Sequence, residues 1–197
     1  MSELNFNYDK KRFEAFFDAI LAIILTILVL ELRVPEREGD PALSTKQQVV
    51  HLLPSFISYI GSFLLIFGIW IDHHLLFLNI KKITRKYILL NMLFVLSISL
   101  IPFSTAFAGN HHTDPFAVAL LFVNYVVMNI LFSFLFLFAK NWDLLPPSFV
   151  EETKDTGRYA YIGILGMVAA IPLAYVNTGI SFALGILIFA GHLFKRR

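Results

Sequence analysis

The sequence predicts an all-α, polytopic membrane protein with six transmembrane helices per subunit, on three observations. The chain of 197 residues is 57% hydrophobic and holds 21 phenylalanines, more apolar than a soluble domain, which sits near half. Its apolar stretches recur at close to twenty residues, the length that crosses a hydrocarbon core about 30 Å thick. Its basic residues fall on one side when those stretches are threaded alternately through a bilayer. Lipid offers backbone amides no partner, so the spans are helices; barrel strands would be shorter and alternating.

The spans fall at roughly 12–32, 50–79, 87–108, 115–139, 158–175 and 178–194, with edges open by several residues. The first opens on "RFEAFFDAILAIILTILVLEL". It is too long for a signal peptide, its flank mixes acids with bases, and no small-residue cleavage site follows, so it reads as a retained helix. The second is long enough to tilt or to extend past the bilayer. The last two are short and joined by "VNTG", the pattern of a helical hairpin. Pro54, Pro102 and Pro172 lie toward the same end of their spans, where neighbouring groups can satisfy a freed carbonyl. The sizeable loops are 33–49 and 140–157, so residues 1–197 read as a single transmembrane domain.

With both termini inside, the inner segments hold Lys10, Lys11 and Arg12, then Lys81, Lys82, Arg85 and Lys86, then Lys140, Lys154 and Arg158, then Lys195, Arg196 and Arg197. The outer segments hold Arg33, Arg37 and Lys46. That asymmetry places both termini on the cytoplasmic side of the membrane, and it supports an even number of spans. A chain without cysteine has no disulfide, thiolate metal site or cysteine nucleophile. A net charge of +2, with scattered bases, gives no nucleic-acid surface. No paired acids, nucleophile elbow or zinc motif suggests an enzyme.

The first span carries two faces. At 100° per residue, Ile23, Ile27 and Leu30 lie within about 60° of one another, with Phe16 on the same line. Thr26 lies about 60° to one side of Ile23, and Asp18 points roughly 140° away. The stripe fits lipid contact or core packing. It also fits a hydrophobic constriction that gates by dewetting, with a hydroxyl layer beside it; one helix cannot surround a pore, so that reading requires a homo-oligomer.

Asp18 at membrane depth needs protein or water around it. At 1.5 Å per residue it lies about 9 Å beyond Arg12, and the inner half of the membrane also holds Trp70, Asp72, His73, His74 and Asn91. Arg12 is turned about 120° from Asp18, so a histidine or the Trp70 indole from the neighbouring helix is the natural partner. The cluster can be a hydrogen-bonded tie between the first three helices, a proton relay or pH sensor, or a metal site. Adjacent histidines diverge by about 100° and no chelating spacing occurs, which counts against metal. His111 and His112 read as solvated turn residues, and His51 and His192 as isolated.

The run Arg12-x-x-x-Phe16-Phe17-Asp18, followed by an apolar stretch with Thr26, resembles the signature of the transmembrane protein 175 family of endolysosomal potassium channels, in its prokaryotic branch. Trp70-x-x-His73 in the second span, Asn91 early in the third and the later Pro102-Phe103 are similar to the family's further elements. The resemblance covers the whole chain, with its specific motifs in the first three helices. It implies a potassium-permeable channel of four six-helix subunits, the first helix of each lining a central pore, with lipid and monovalent cations as its surroundings. By position Ile23 would form the narrowest constriction, Ile27 and Leu30 its outward continuation, and Thr26 the selecting hydroxyl layer. Arg12, Phe16, Asp18, Trp70, His73, His74 and Asn91 would hold the pore helices in place. No T-V-G-Y-G filter and no cofactor is implied; the permeant ion is K+, with Na+, Cs+ or Rb+ as companions. Phe17 departs from the motif, which has serine there, so that hydroxyl's hydrogen bond is missing. At the outer mouth, Glu31, Glu36, Glu38 and Asp40 slightly outweigh Arg33, Arg37 and Lys46. A proton-coupled secondary transporter using Asp18, His73 and His74 is the alternative, although carriers usually show repeats and helices interrupted near the midplane.

Overall fold

Prolines divide what hydropathy joins. The computed structural model describes residues 9–32 and 44–194, and every regular element among them is a helix. Helix α1 spans Lys10–Leu30 and is capped by Asp9, whose carboxylate accepts from the Lys11 and Arg12 amides, as an N-cap does. Helix α2, Thr45–His51, opens on a capping box in which Ser44 and Gln47 satisfy each other's backbone. Hydropathy runs the second span from residue 50 onward; instead the chain breaks at Leu52, and α3 runs over Leu53–Asn79. Pro54 has no amide to offer the carbonyl four residues back, so it sits in the first turn of a new helix.

The third span is likewise two helices, α4 (Arg85–Ser99) and α5 (Ile101–Asn110), divided at Leu100 by Pro102. Thr84 caps α4 by accepting from the Tyr87 amide at 3.2 Å. Helix α6 covers Pro115–Asn141, capped by Asp114. A short helix α7, Pro147–Glu152, occupies part of the loop expected at 140–157. Helices α8 (Lys154–Ala174) and α9 (Thr178–Phe194) form the expected hairpin, with Asn177 Oδ1 accepting from the Ile180 amide and Ser181 Oγ donating to the Ala170 carbonyl at 2.8 Å. Pro172 remains inside α8. The segments 10–30, 53–79, 85–110 and 115–141 have the length and apolarity to cross a membrane, and 161–174 and 178–188 are shorter apolar helices. The chain is therefore a multi-pass membrane protein. The expected outer-mouth residues Arg33, Glu36, Arg37, Glu38 and Asp40, and the basic Lys195, Arg196 and Arg197, lie outside the described residues.

Helix α1 packs antiparallel on α3 and also touches α4 and α5, while α6 packs against α4, α5 and the α8–α9 hairpin. At the end of the bundle remote from the start of α1, α5 closes onto α3 through Gly109: a Cβ there would meet Ser55 Cα at 2.7 Å. Small residues are the usual means by which membrane helices approach. Apolar burial does little to join helices already in lipid, so packing and interhelical hydrogen bonds hold this bundle, each bond worth about 1 kcal/mol.

Candidate functional site

Helix α1 has one face in the protein and one on its surface. Phe17, Leu21, Ile24 and Leu28 are buried at helical spacing. The opposite stripe is bare: Ile23 is 56% exposed and Leu30 70%, and Phe16 and Ile27 are exposed beside them. Thr26 is exposed too, and its hydroxyl donates to the Ile23 carbonyl at 2.8 Å. That bond uses the threonine proton locally and leaves oxygen lone pairs facing outward.

The carboxylate takes the other side. Asp18 is half-buried and accepts from the Trp70 indole N–H at 2.9 Å. One turn toward the start of α1, Glu14 faces His74, one turn farther along α3, at 3.3 Å. The approach is off the axis of a hydrogen bond, so it acts as a charge contact whenever His74 is protonated. The Trp70 and His74 rings stack at 5.6 Å. Two acids on α1 thus meet a tryptophan and a histidine on α3, in register because both pairs are four residues apart.

His73 turns away from that ladder into the core. It is buried, and its Nε2 lies 3.0 Å from Asn91 Oδ1. The Asn91 amide group donates to the Tyr87 carbonyl, so its oxygen is the acceptor and His73 carries its proton on Nε2. Phe17, 1% exposed, stacks on the His73 ring with centroids 3.5 Å apart, and Phe77 and Phe94 complete the stack. A phenylalanine where the motif has serine therefore substitutes ring packing for a hydroxyl. Arg12 is exposed at the start of α1, and among the described residues its side chain does not reach Asp18. The structure thus joins Asp18 to Trp70 and His73 to Asn91, and leaves Arg12 and Phe16 on the open side. His111 and His112 are exposed, and His111 Nδ1 lies 3.1 Å from the Phe107 carbonyl at the end of α5.

The match to known proteins begins within α1. Residues 12–102 fit the profile of the family described as endosomal/lysosomal potassium channel TMEM175, a segment that contains both faces of α1, the indole, the histidines and Asn91. Over that segment the chain is similar to the TMEM175 family. Among its relatives, a protein named as a potassium channel from Chryseobacterium sp. is 40% identical over 103 residues, 52% of this chain and 50% of that one. Against that relative the chain spans about half its length. Another so named, from Streptomyces collinus, is 28% identical over 182 residues, 87% of this chain and 85% of the relative. The fold matches the crystal structure of a lysosomal potassium-selective channel TMEM175 homologue from Chamaesiphon minutus, with TM-score 0.84 and 21% identity, covering 94% of this chain and 97% of that one.

A second polar layer, which sequence reasoning missed, lies farther along the bundle toward Gly109. Ser62 Oγ donates to the Ser58 carbonyl at 2.8 Å and lies 2.6 Å from both Thr105 Oγ1 and Tyr125 Oη. Asn124, oriented by its partners, donates to the Ser97 carbonyl at 3.0 Å and accepts from the Ile101 amide at 3.3 Å. Those two groups would bond each other in an unbroken helix. The Asn124 carboxamide therefore bridges the interruption made by Pro102. Its signal was present as a lone amide inside "LLFVNYVVM".

Proposed function

We propose that the chain is a potassium-permeable cation channel in which four copies set α1 around one axis. The observation that carries this reading is the division of α1: an exposed aliphatic stripe, with the carboxylate on the other flank satisfied by Trp70 of the same subunit. A helix facing only lipid would not need Thr26 beside the stripe, with its proton already committed and its lone pairs free for a cation. The potassium-channel names of the bacterial relatives support the choice of ion. In this reading Ile23 is the narrowest constriction, Thr26 the hydroxyl layer, and Ile27 and Leu30 the outward continuation. Phe16 flanks the inner entry, Arg12 stands at the inner rim, and Asp18, Trp70, His73, His74 and Asn91 position the pore helix. The assembly sits in a plasma membrane with both termini in the cytoplasm, the side that collects its lysines and arginines.

A carrier would place an interrupted helix beside its ionisable groups. Here the interruption at Leu100 lies about 22 Å along the span from Arg85, is bridged by Asn124, and is remote in sequence from Asp18 and the histidines. The deciding experiment is current from purified protein in planar bilayers under a potassium gradient, with particle mass in detergent measured alongside. A tetrameric mass and unitary currents above about 10⁴ ions per second, beyond ordinary turnover, are expected. A monomer, or transport without discrete openings, would remove the channel reading.

A further inference from the structure

The end of the bundle where α1 begins carries a built cationic surface. Between α3 and α4 single buried residues separate pairs of exposed cations: Ile80, Ile83 and Tyr87 are buried, while Lys81, Lys82, Arg85 and Lys86 are exposed. The segment is fixed by main-chain bonds. The Lys81 amide donates to the Leu144 carbonyl at 2.9 Å, and the Leu144 amide to the Ala139 carbonyl at 2.9 Å. Leu144 is buried, and Asp143 takes the left-handed turn, φ 52°, that returns the chain. These contacts set Trp142 beside the basic segment: Lys86 Nζ stands 4.7 Å over its ring, and the ring stacks on Phe138 at 5.1 Å while remaining 53% exposed. Lys140 is exposed on the same turn.

We infer that Lys81, Lys82, Arg85, Lys86 and Lys140, with the Trp142 indole, form a docking site for the headgroup of an anionic phospholipid. Lysines that serve only to orient the chain need to be counted, not held; here buried isoleucines, a capped helix and two main-chain bonds hold them. The exposed indole is the side chain that settles at the level of headgroups, and the surrounding charge complements a lipid phosphate carrying net negative charge. Asp143 is the one acid exposed within this turn. The site touches the start of α1, because Lys10 Nζ donates to the Ile80 carbonyl at 2.8 Å. A bound headgroup is therefore two contacts from the first turn of that helix. The inference stands on the inner surface alone and does not depend on which ion α1 conducts.

The test uses the full chain, delipidated in neutral detergent, titrated with fluorescent phosphatidylglycerol and separately with fluorescent phosphatidylcholine. Saturable preference for phosphatidylglycerol is expected, weakening as salt rises, and unaffected by millimolar inorganic phosphate. Lys82→Gln, Arg85→Gln and Lys86→Gln together should weaken it about a hundredfold, at roughly fivefold per charge. Lys46→Gln with Lys154→Gln, which removes charge elsewhere, should leave it unchanged. Equal affinity for the two lipids, equal loss in the control variant, or displacement by free phosphate would overturn the proposal. Should the triple variant fail to fold, the salt series on the native chain decides: a preference that does not fall with ionic strength refutes it.

Discussion

The two polar layers of this bundle differ in what they tie. The layer near Asp18 uses a carboxylate, an indole, an imidazole and an amide to join α1 to α3 and α3 to α4. The layer near Ser62 uses hydroxyls and the Asn124 amide to join α3, α4, α5 and α6, and none of its bonds among the described residues reaches α1. Helix α1 is thus pinned by polar contacts over its first half. Beyond Asp18 it rests on the packing of Leu21, Ile24 and Leu28. The half bearing Ile23 and Thr26 is thus the half without a polar tie to its neighbours among the described residues, while the scaffold behind it is tied independently.

Substitutions can break that contrast in order of size. Asn124→Leu strands the Ser97 carbonyl and the Ile101 amide, and should cost about 4 kcal/mol at roughly 2 per buried group. Denaturation in mixed micelles reads the loss, Asn124→Gln should recover part of it, and native stability in the leucine variant would show that the break needs no bridge. Phe17→Ser restores the motif residue but empties the space against His73; a loss of about 3 kcal/mol is expected. If that variant is as stable as the parent, the ring stack is not what seats α1.

Ile23→Asn acts on the unpinned half and should leave stability nearly unchanged. If Ile23 is the proposed constriction, wetting it should raise leak current, and about 1.4 kcal/mol off the barrier makes it tenfold; an unaltered conductance places Ile23 away from the ion path. Asp18→Asn keeps an acceptor for the Trp70 indole but removes the charge, a change of about 1 kcal/mol. It should alter open probability or assembly and spare unitary conductance, and the reverse pattern would put Asp18 in the pore. Thr26→Ala is the mildest, below about 0.5 kcal/mol in stability. Its effect belongs in the potassium-to-sodium permeability ratio, and identical reversal potentials in mixed salts would take the hydroxyl out of selection.

Much of this was legible in the chain, because bilayer thickness fixes the length of an apolar run and helical periodicity fixes its faces. The six apolar runs, the α8–α9 hairpin and the opposition of Asp18 to the Ile23 stripe follow from spacing alone. Depth along the helices also limited which groups could be partners for Asp18, though it left indole and imidazole equivalent. Trp70 and not His73 meets the acid, because the antiparallel register of α1 and α3 sets Asp18 level with Trp70 and Phe17 level with His73. Phe17 read in sequence as a lost hydrogen bond; only neighbours from α3 and α4 make it a stacking partner. Pro54 and Pro102 announced trouble in their spans without showing where the chain would divide, and the repair by Asn124 comes from a helix some twenty residues away. Local chemistry determined what each segment is and which side it turns inward. Which side chain answers which was decided by tertiary packing, since a hydrogen bond needs two groups within about 3 Å and no single helix sets that distance to another.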